Sequence, residues 1–202
     1  MLPDPRVAPL AIDLTRMHRR TVTSFYSNLI TRPTGRAIRM GVESQIAELE
    51  PERELCISVL DFSQVRVLDY SCADEIVAKL LLRYARSDRP GEAYFVVRGV
   101  QEHHEEAIEA VLERHRLLLA AETESGATRL LGPSDAVQRA CWAVLVEHGR
   151  SSIDQVAERS GLAAEAVSPT LASLAVQRVV VPLSQGGFCA LPTLAAHSHD
   201  AR

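Results

Sequence analysis

The sequence predicts an α/β protein, a mixed sheet packed with helices, followed by a small helical domain that ends in a hairpin. Three observations carry this prediction. Short β-branched runs alternate with amphipathic helical stretches through the first two thirds of the chain. A turn at Gly132 and Pro133 then interrupts the alternation, with the helix-capping types Ser134 and Asp135 behind it. Beyond that turn, three helical stretches precede two β-rich runs that flank Gly186 and Gly187. The predicted domains are therefore residues 1–132 and 133–202.

Composition narrows the function classes before any motif is considered. At 202 residues, 47% hydrophobic and 24% charged, the chain has the makings of a globular core, which excludes whole-chain disorder and collagen-like structure. The net charge of −4 provides no overall positive field, so nucleic acid or anionic lipid would need a local patch. Cys56, Cys72, Cys141 and Cys189 are widely spaced and form no CxxC pair, which argues against a zinc knuckle or a thioredoxin-like motif and predicts buried thiols. The longest apolar run, residues 140–146, is far shorter than the roughly 18 residues of a bilayer span. Early prolines and Asp4 replace the basic start and apolar centre of a leader peptide, so the expectation is a cytoplasmic protein without a membrane segment.

Each element has its own reason. LAIDLTR and TVTSFYSNLI read as strands, joined by MHRR and able to pair as a hairpin. GRAIRMGVESQIAEL places Ile38, Val42, Ile46 and Leu49 on one helical face. CISVLDF suits a strand buried on both faces, with Asp61 near its end. From Ser71 onward, Ala73, Ile76, Val77, Leu80, Leu81 and Tyr84 form a helical stripe. AYFVVRGV is another strand, and the helix from about His103 to Arg116 turns Ile108, Val111 and Leu112 inward. LLLAAE and TRLL close the sheet.

In the second domain, SDAVQRACWAVLVEHG is a helix with Val137, Cys141, Val144 and Leu145 inward, ending at a left-handed cap on Gly149. Ser151 or Ser152 caps the next helix, IDQVAERSGL, whose Ala157 and Gly161 suit a close helix–turn–helix approach. The third helix carries Val167, Leu171 and Leu174. Pro169 predicts a break or kink there, since proline inside a helix costs about 3 kcal/mol. VVVPLSQGGFCAL is the hairpin.

The segment VLDFSQVRVLDYSCADEIVAKLL, from Val59 to Leu82, resembles the STAS and STAS-like family, named for sulfate transporters and anti-sigma-factor antagonists. In that family a strand ends in an acidic–apolar pair, here Asp61 and Phe62, and a small polar residue opens the following helix, here Ser71. The triplet Ala73, Asp74, Glu75 is closer to the STAS-like branch than to the branch with a DSSG motif, because Tyr70 and Cys72 replace the flanking serine and glycine. The resemblance implies a domain that binds a regulatory protein partner, such as a kinase or an anti-sigma factor, with Ser71 as the phosphorylated residue. Asp69, Tyr70 and Asp74 complete the implied contact surface. A phosphate at a helix start is favoured by unpaired N–H groups, although Asp69 would repel it. The plainer reading makes Ser71 the helix cap, with Asp74 as an imperfect capping-box partner.

The tail resembles the winged helix-turn-helix superfamily over most of its length after Ser134. DNA-binding members place the third helix in the major groove and offer cations to the backbone. Here the outer face of that helix carries Ala164, Glu165, Ser168, Pro169, Thr170 and Ser173, and the hairpin tip is Ser-Gln-Gly-Gly. Any DNA contact would fall to Ser168 and Thr170 together with Arg139, Arg150, Arg159 or Arg178, acting from a homodimer.

Catalytic and metal signatures are not found. HHEEAIE, from His103, lacks the HExxH spacing, and the terminal HSHD reads as a polar tail. There is no GxGxxG, P-loop or GxSxG. The expectation is a non-enzymatic, cofactor-free regulatory adaptor of bacterial type, acting in signal transduction through protein–protein interaction. A dimeric DNA-binding transcription regulator is the alternative.

Overall fold

The computed structural model describes residues 19–48, 56–123 and 125–197. The chain divides into two compact units, one spanning His18–Pro133 and the other containing Ser134–Arg202. The first is mixed α/β and runs β1 (Arg19–Leu29), α1 (Arg32–Glu48), β2 (Cys56–Leu68), α2 (Tyr70–Ala73), a π-helical turn (Asp74–Ala78), α3 (Lys79–Ala85), β3 (Ala93–Val100), α4 (Glu102–His115), β4 (Leu119–Thr123) and β5 (Thr128–Leu131).

The five strands lie in the order β1-β2-β3-β4-β5. The first three pairings are parallel and β4–β5 is antiparallel. Sequential parallel strands joined by right-handed crossovers send every connecting helix to the same face of the sheet. One core cluster accordingly joins Val42 and Ile46 of α1, Leu80 and Tyr84 of α3 and Ile108 and Leu112 of α4 to Leu60, Phe62 and Phe95 of the sheet. Ile57, Val59, Tyr94 and Val96, alternating with that set, are buried too, so the central strands are sealed on both faces.

β2 departs from the expected length. CISVLDF is only its first half, and Asp61 lies in mid-strand, paired with Arg98. That is the last register shared with β3. Beyond it β2 continues for seven residues with β1 alone, through two register shifts, to Leu29↔Leu68. Gly99 marks the parting point. Its φ of +67° favours glycine, and a Cβ there would meet the Ser63 backbone N at 2.7 Å. The result is a two-stranded arm that carries the chain to the start of α2.

β1 begins earlier than predicted, because Arg19 and Arg20 belong to it and not to a connection. LAIDLTR and Leu49 lie outside the described residues. α1 opens at Arg32 and tolerates Pro33 in its first turn, where the missing N–H would have had no helical partner.

The second unit contains α5 (Ala136–His148), α6 (Ile153–Ser160), α7 (Ala164–Val176), β6 (Val180–Pro182), β7 (Phe188–Ala190) and α8 (Leu191–His197). Reciprocal capping bonds start two of the helices, Asp135 with Gln138 and Ser152 with Gln155. Gly149 ends α5 with φ 69° and ψ −132°, a glycine conformation other than the expected left-handed cap, whereas Gly161 does adopt that cap after α6. α7 continues through Pro169 without the expected break, held by Val167, Leu171 and Leu174, which are all fully buried. β6 and β7 form an antiparallel hairpin, and Ser151 adds an isolated bridge to Phe188. Gly187, at φ +89°, allows that approach, since a Cβ would lie 2.9 Å from the Ser151 carbonyl oxygen. α8 was not expected from the sequence. It buries Leu191, Leu194 and Ala195. All four cysteines are free and buried. No helix among the described residues is long and apolar enough to cross a membrane.

Candidate functional site: the Ser71 corner

The arm ends at a corner where three close contacts fix the geometry. Asp69 N–H donates to the Leu29 carbonyl at 2.8 Å. The Cys72 thiol donates to Thr31 O at 3.0 Å, and a Cβ on Gly35 would meet Cys72 Cα at 3.0 Å. The start of α1 and the start of α2 are thus locked at close range.

Ser71 does not cap its helix. Asp69 does, its Oδ1 accepting from Ser71 N–H at 2.7 Å. Hydrogen bonding from Ser71, with the nearby Arg32 charge, holds the Asp69 carboxyl below the ordinary carboxylate range. The Ser71 hydroxyl is half-exposed and donates at 3.4 Å to Ile30 O. Tyr70 Oη accepts from Arg114 at 3.0 Å.

Asp74 is no capping partner either. It is buried and accepts from Arg32 at 2.9 Å and bonds His115 Nε2 at 2.9 Å. Glu75, 2% exposed, accepts from Arg32 at 3.1 Å and Arg39 at 3.4 Å, and bonds Lys79. Burial pushes both carboxyls up, but these bonds outweigh it and hold both below the usual range. The π-helical turn makes room for the pair, since all five of its residues are buried, more than one stripe of a regular helix would hide. The network ties α1, the π turn and the end of α4 together.

Of the residues expected here, the structure brings Asp69, Tyr70, Ser71 and Asp74 to one corner. Sequence reasoning missed Arg32, Arg39, Glu75, Lys79, Arg114 and His115. Only Glu75 and Lys79, four apart on a helix, left a readable signal. Two exposed aliphatic side chains flank the corner: Ile30 is 50% exposed, and Val67, paired with Asn28 at the arm's end, is 45% exposed.

The DNA-contact candidates are dispersed. Arg150 is exposed and donates to Gln185 Oε1 at 3.2 Å, Gln185 O at 3.0 Å and Gly186 O at 3.3 Å, which seats its guanidinium on the hairpin tip. Arg159 donates to Ser151 Oγ at 3.0 Å. Ser168 is exposed, and Thr170 Oγ1 donates back to Ala166 O at 2.7 Å. Arg139 is tied to the Ser134 carbonyl. Arg178 is corrected: it is 8% exposed, in a turn with φ +61°, and is not a surface cation.

Among the described residues no cluster of three or more His, Cys, Asp or Glu side chains is arranged to hold a metal ion. His103 and His104 instead face the arm. A scan of protein-family models and a search of curated proteins both find nothing that matches this chain.

Proposed function

We propose that this chain is a non-enzymatic regulatory adaptor whose first unit, a STAS-like domain, binds a protein partner at the Ser71 corner, and whose second unit is a winged helix that passes the signal on. The observation that carries this reading is the corner itself, a half-exposed hydroxyl on a rigid frame with Ile30 and Val67 exposed beside it. Exposed aliphatic side chains on a rigid frame suit association with a macromolecule. The buried carboxylates are fully occupied by cations, which suits a structural support better than a reaction centre. A kinase or an anti-sigma factor is the class of partner that the resemblance to the STAS-like family suggests, with Ser71 as the modified residue.

The test is a photo-crosslinking amino acid at Val67, expressed in the host cell, followed by mass spectrometry of the adducts and of Ser71. The adaptor reading expects a specific protein adduct that is lost when Ile30→Asp is added. Adducts indifferent to that change, or none, overturn it.

A second reading, a dimeric DNA-binding regulator, is favoured by Arg150, which puts a cation on a hairpin tip whose own residues have none. The exposed face of α7 offers no arginine or lysine, so phosphate neutralisation would be slight. Duplex binding that weakens steeply with salt and is lost in Arg150→Ala would favour this reading over the adaptor.

A further inference from the structure

Where β2 leaves β3, its edge is met by α4. His103 Nε2 bonds the Arg66 carbonyl at 3.1 Å, so its tautomer there carries the proton on Nε2. His104, fully buried, accepts the Gln101 N–H on Nδ1 at 3.3 Å, and its Nε2 faces the Val65 backbone without a hydrogen bond of full geometry. The two rings touch, with centroids 4.0 Å apart, and His104 packs on Phe62 at 6.2 Å. Consecutive histidines thus stand where a neighbouring strand would have continued the ladder. The arm they hold runs directly into Asp69 and Ser71.

We propose that His103 and His104 form a pH-sensitive clasp that fastens the β1–β2 arm, and with it the Ser71 corner, to the start of α4, and that protonating His104 opens it. The inference deepens the adaptor reading by naming a regulation of that same corner, and its functional meaning rests on that reading. A proton on Nδ1 removes the acceptor for Gln101 N–H and sets two donors against each other. It also places a charge in an apolar site where no carboxylate among the described residues answers it. β2 presents Phe62 and the Val65 backbone, the β3–α4 junction presents Gln101, and among the described residues the titratable side chain acting on the ring is His103, a repelling cation when charged. Burial, followed by His103, lowers the affinity of His104 for a proton, so the clasp is closed at neutral pH. It opens as the pH falls below the ordinary imidazole range.

Hydrogen exchange of the full chain tests this, comparing peptides covering residues 62–70 at pH 7.5 and 5.5 after correction for intrinsic rates. Exchange faster at pH 5.5 by several-fold, up to about tenfold, is expected in the wild type. In His104→Asn, which keeps an acceptor for Gln101 N–H but does not titrate, the pH effect is lost, whereas His115→Asn retains it. Unchanged exchange in the wild type, or the same acceleration in His104→Asn, overturns the clasp. Should His104→Asn fail to fold, NMR of the wild type decides: the arm amides titrate with the His104 ring, and arm amides that follow another histidine or none overturn it. None of these readouts needs a partner. The crosslink from Val67 reports on the adaptor reading separately, so each can fail while the other stands.

Discussion

The two units handle polar groups in opposite ways. In the α/β unit, Asp61, Asp74 and Glu75 are drawn inside and joined to partners on other elements, and His104 is buried against Phe62 with its Nδ1 bonded at the start of its own helix. In the helical unit the core around α5 and α7 is mostly apolar, with Ser151 and Arg178 as buried polar residues, and the other polar side chains serve mainly as caps at helix starts or anchors on the hairpin. Buried ionic groups are expensive to desolvate and are weak evidence of added stability. The pairing of Asp74 and Glu75 with several cations beside the Ser71 corner therefore points to a demand for one fixed geometry there. Among the described residues the helical unit buries Arg178 and Ser151 but no carboxylate.

The largest expected effect separates the units by stability. Glu75→Gln leaves three cations without their shared carboxylate, and a loss of about 2–4 kcal/mol is expected. Exchange of residues 62–80 reads that loss, while Trp142, the one tryptophan and a buried residue of α5, reports the helical unit by fluorescence. An equal loss at both probes would erase the contrast.

Acid should act on the same side. Asp61, Asp69, Asp74, Glu75 and Asp88 all bind protons less readily when folded, and all lie in the α/β unit. Their stabilisation is complete above the ordinary values of 3.8 and 4.5 and is lost as the pH falls below them. The effect of His104 comes earlier: its folded affinity for a proton is lowered, so stability declines as the pH falls below 6.5. A two-stage loss of exchange protection, first in the arm and then in the whole unit, is the expected result. A single stage near pH 4 would remove the histidine contribution.

Smaller effects sharpen the picture. Asp69→Ala and Ser152→Ala each remove one helix cap and should lower stability, by about 1 kcal/mol for Ser152→Ala. Only the first should alter crosslinking from Val67. Arg150→Ala should change stability by less than about 0.5 kcal/mol, because its bonds are exposed, so any effect on duplex binding seen by anisotropy is a direct one.

The two units also differ in how far the sequence could be read. β3 and α4 were legible from periodicity nearly to the residue, because the apolar stripe and the turn signals are local. The second half of β2 was not. Ser63, Gln64, Arg66 and Val67 are exposed and carry no two-residue alternation, since they pair on one side only and through register shifts. The ion network was hidden for a related reason: Arg32, Arg39 and His115 reach Asp74 and Glu75 across 36 to 43 positions. In the helical unit, α7 passes through Pro169 because its buried residues outweigh the lost bond. Arg178 read as a surface cation because burial at a left-handed turn leaves no pattern in a short window.

Lys79 is the chain's one lysine, and its ammonium is committed to Glu75. Every reaction that seeks a side-chain amine, whether acylation, conjugation of a modifier protein or fixation by an aldehyde, must therefore draw on the same group that steadies the π turn. The rate at which a mild acylating reagent consumes that amine becomes a gauge of how often the network opens, obtainable from the unmodified protein without substitution or label.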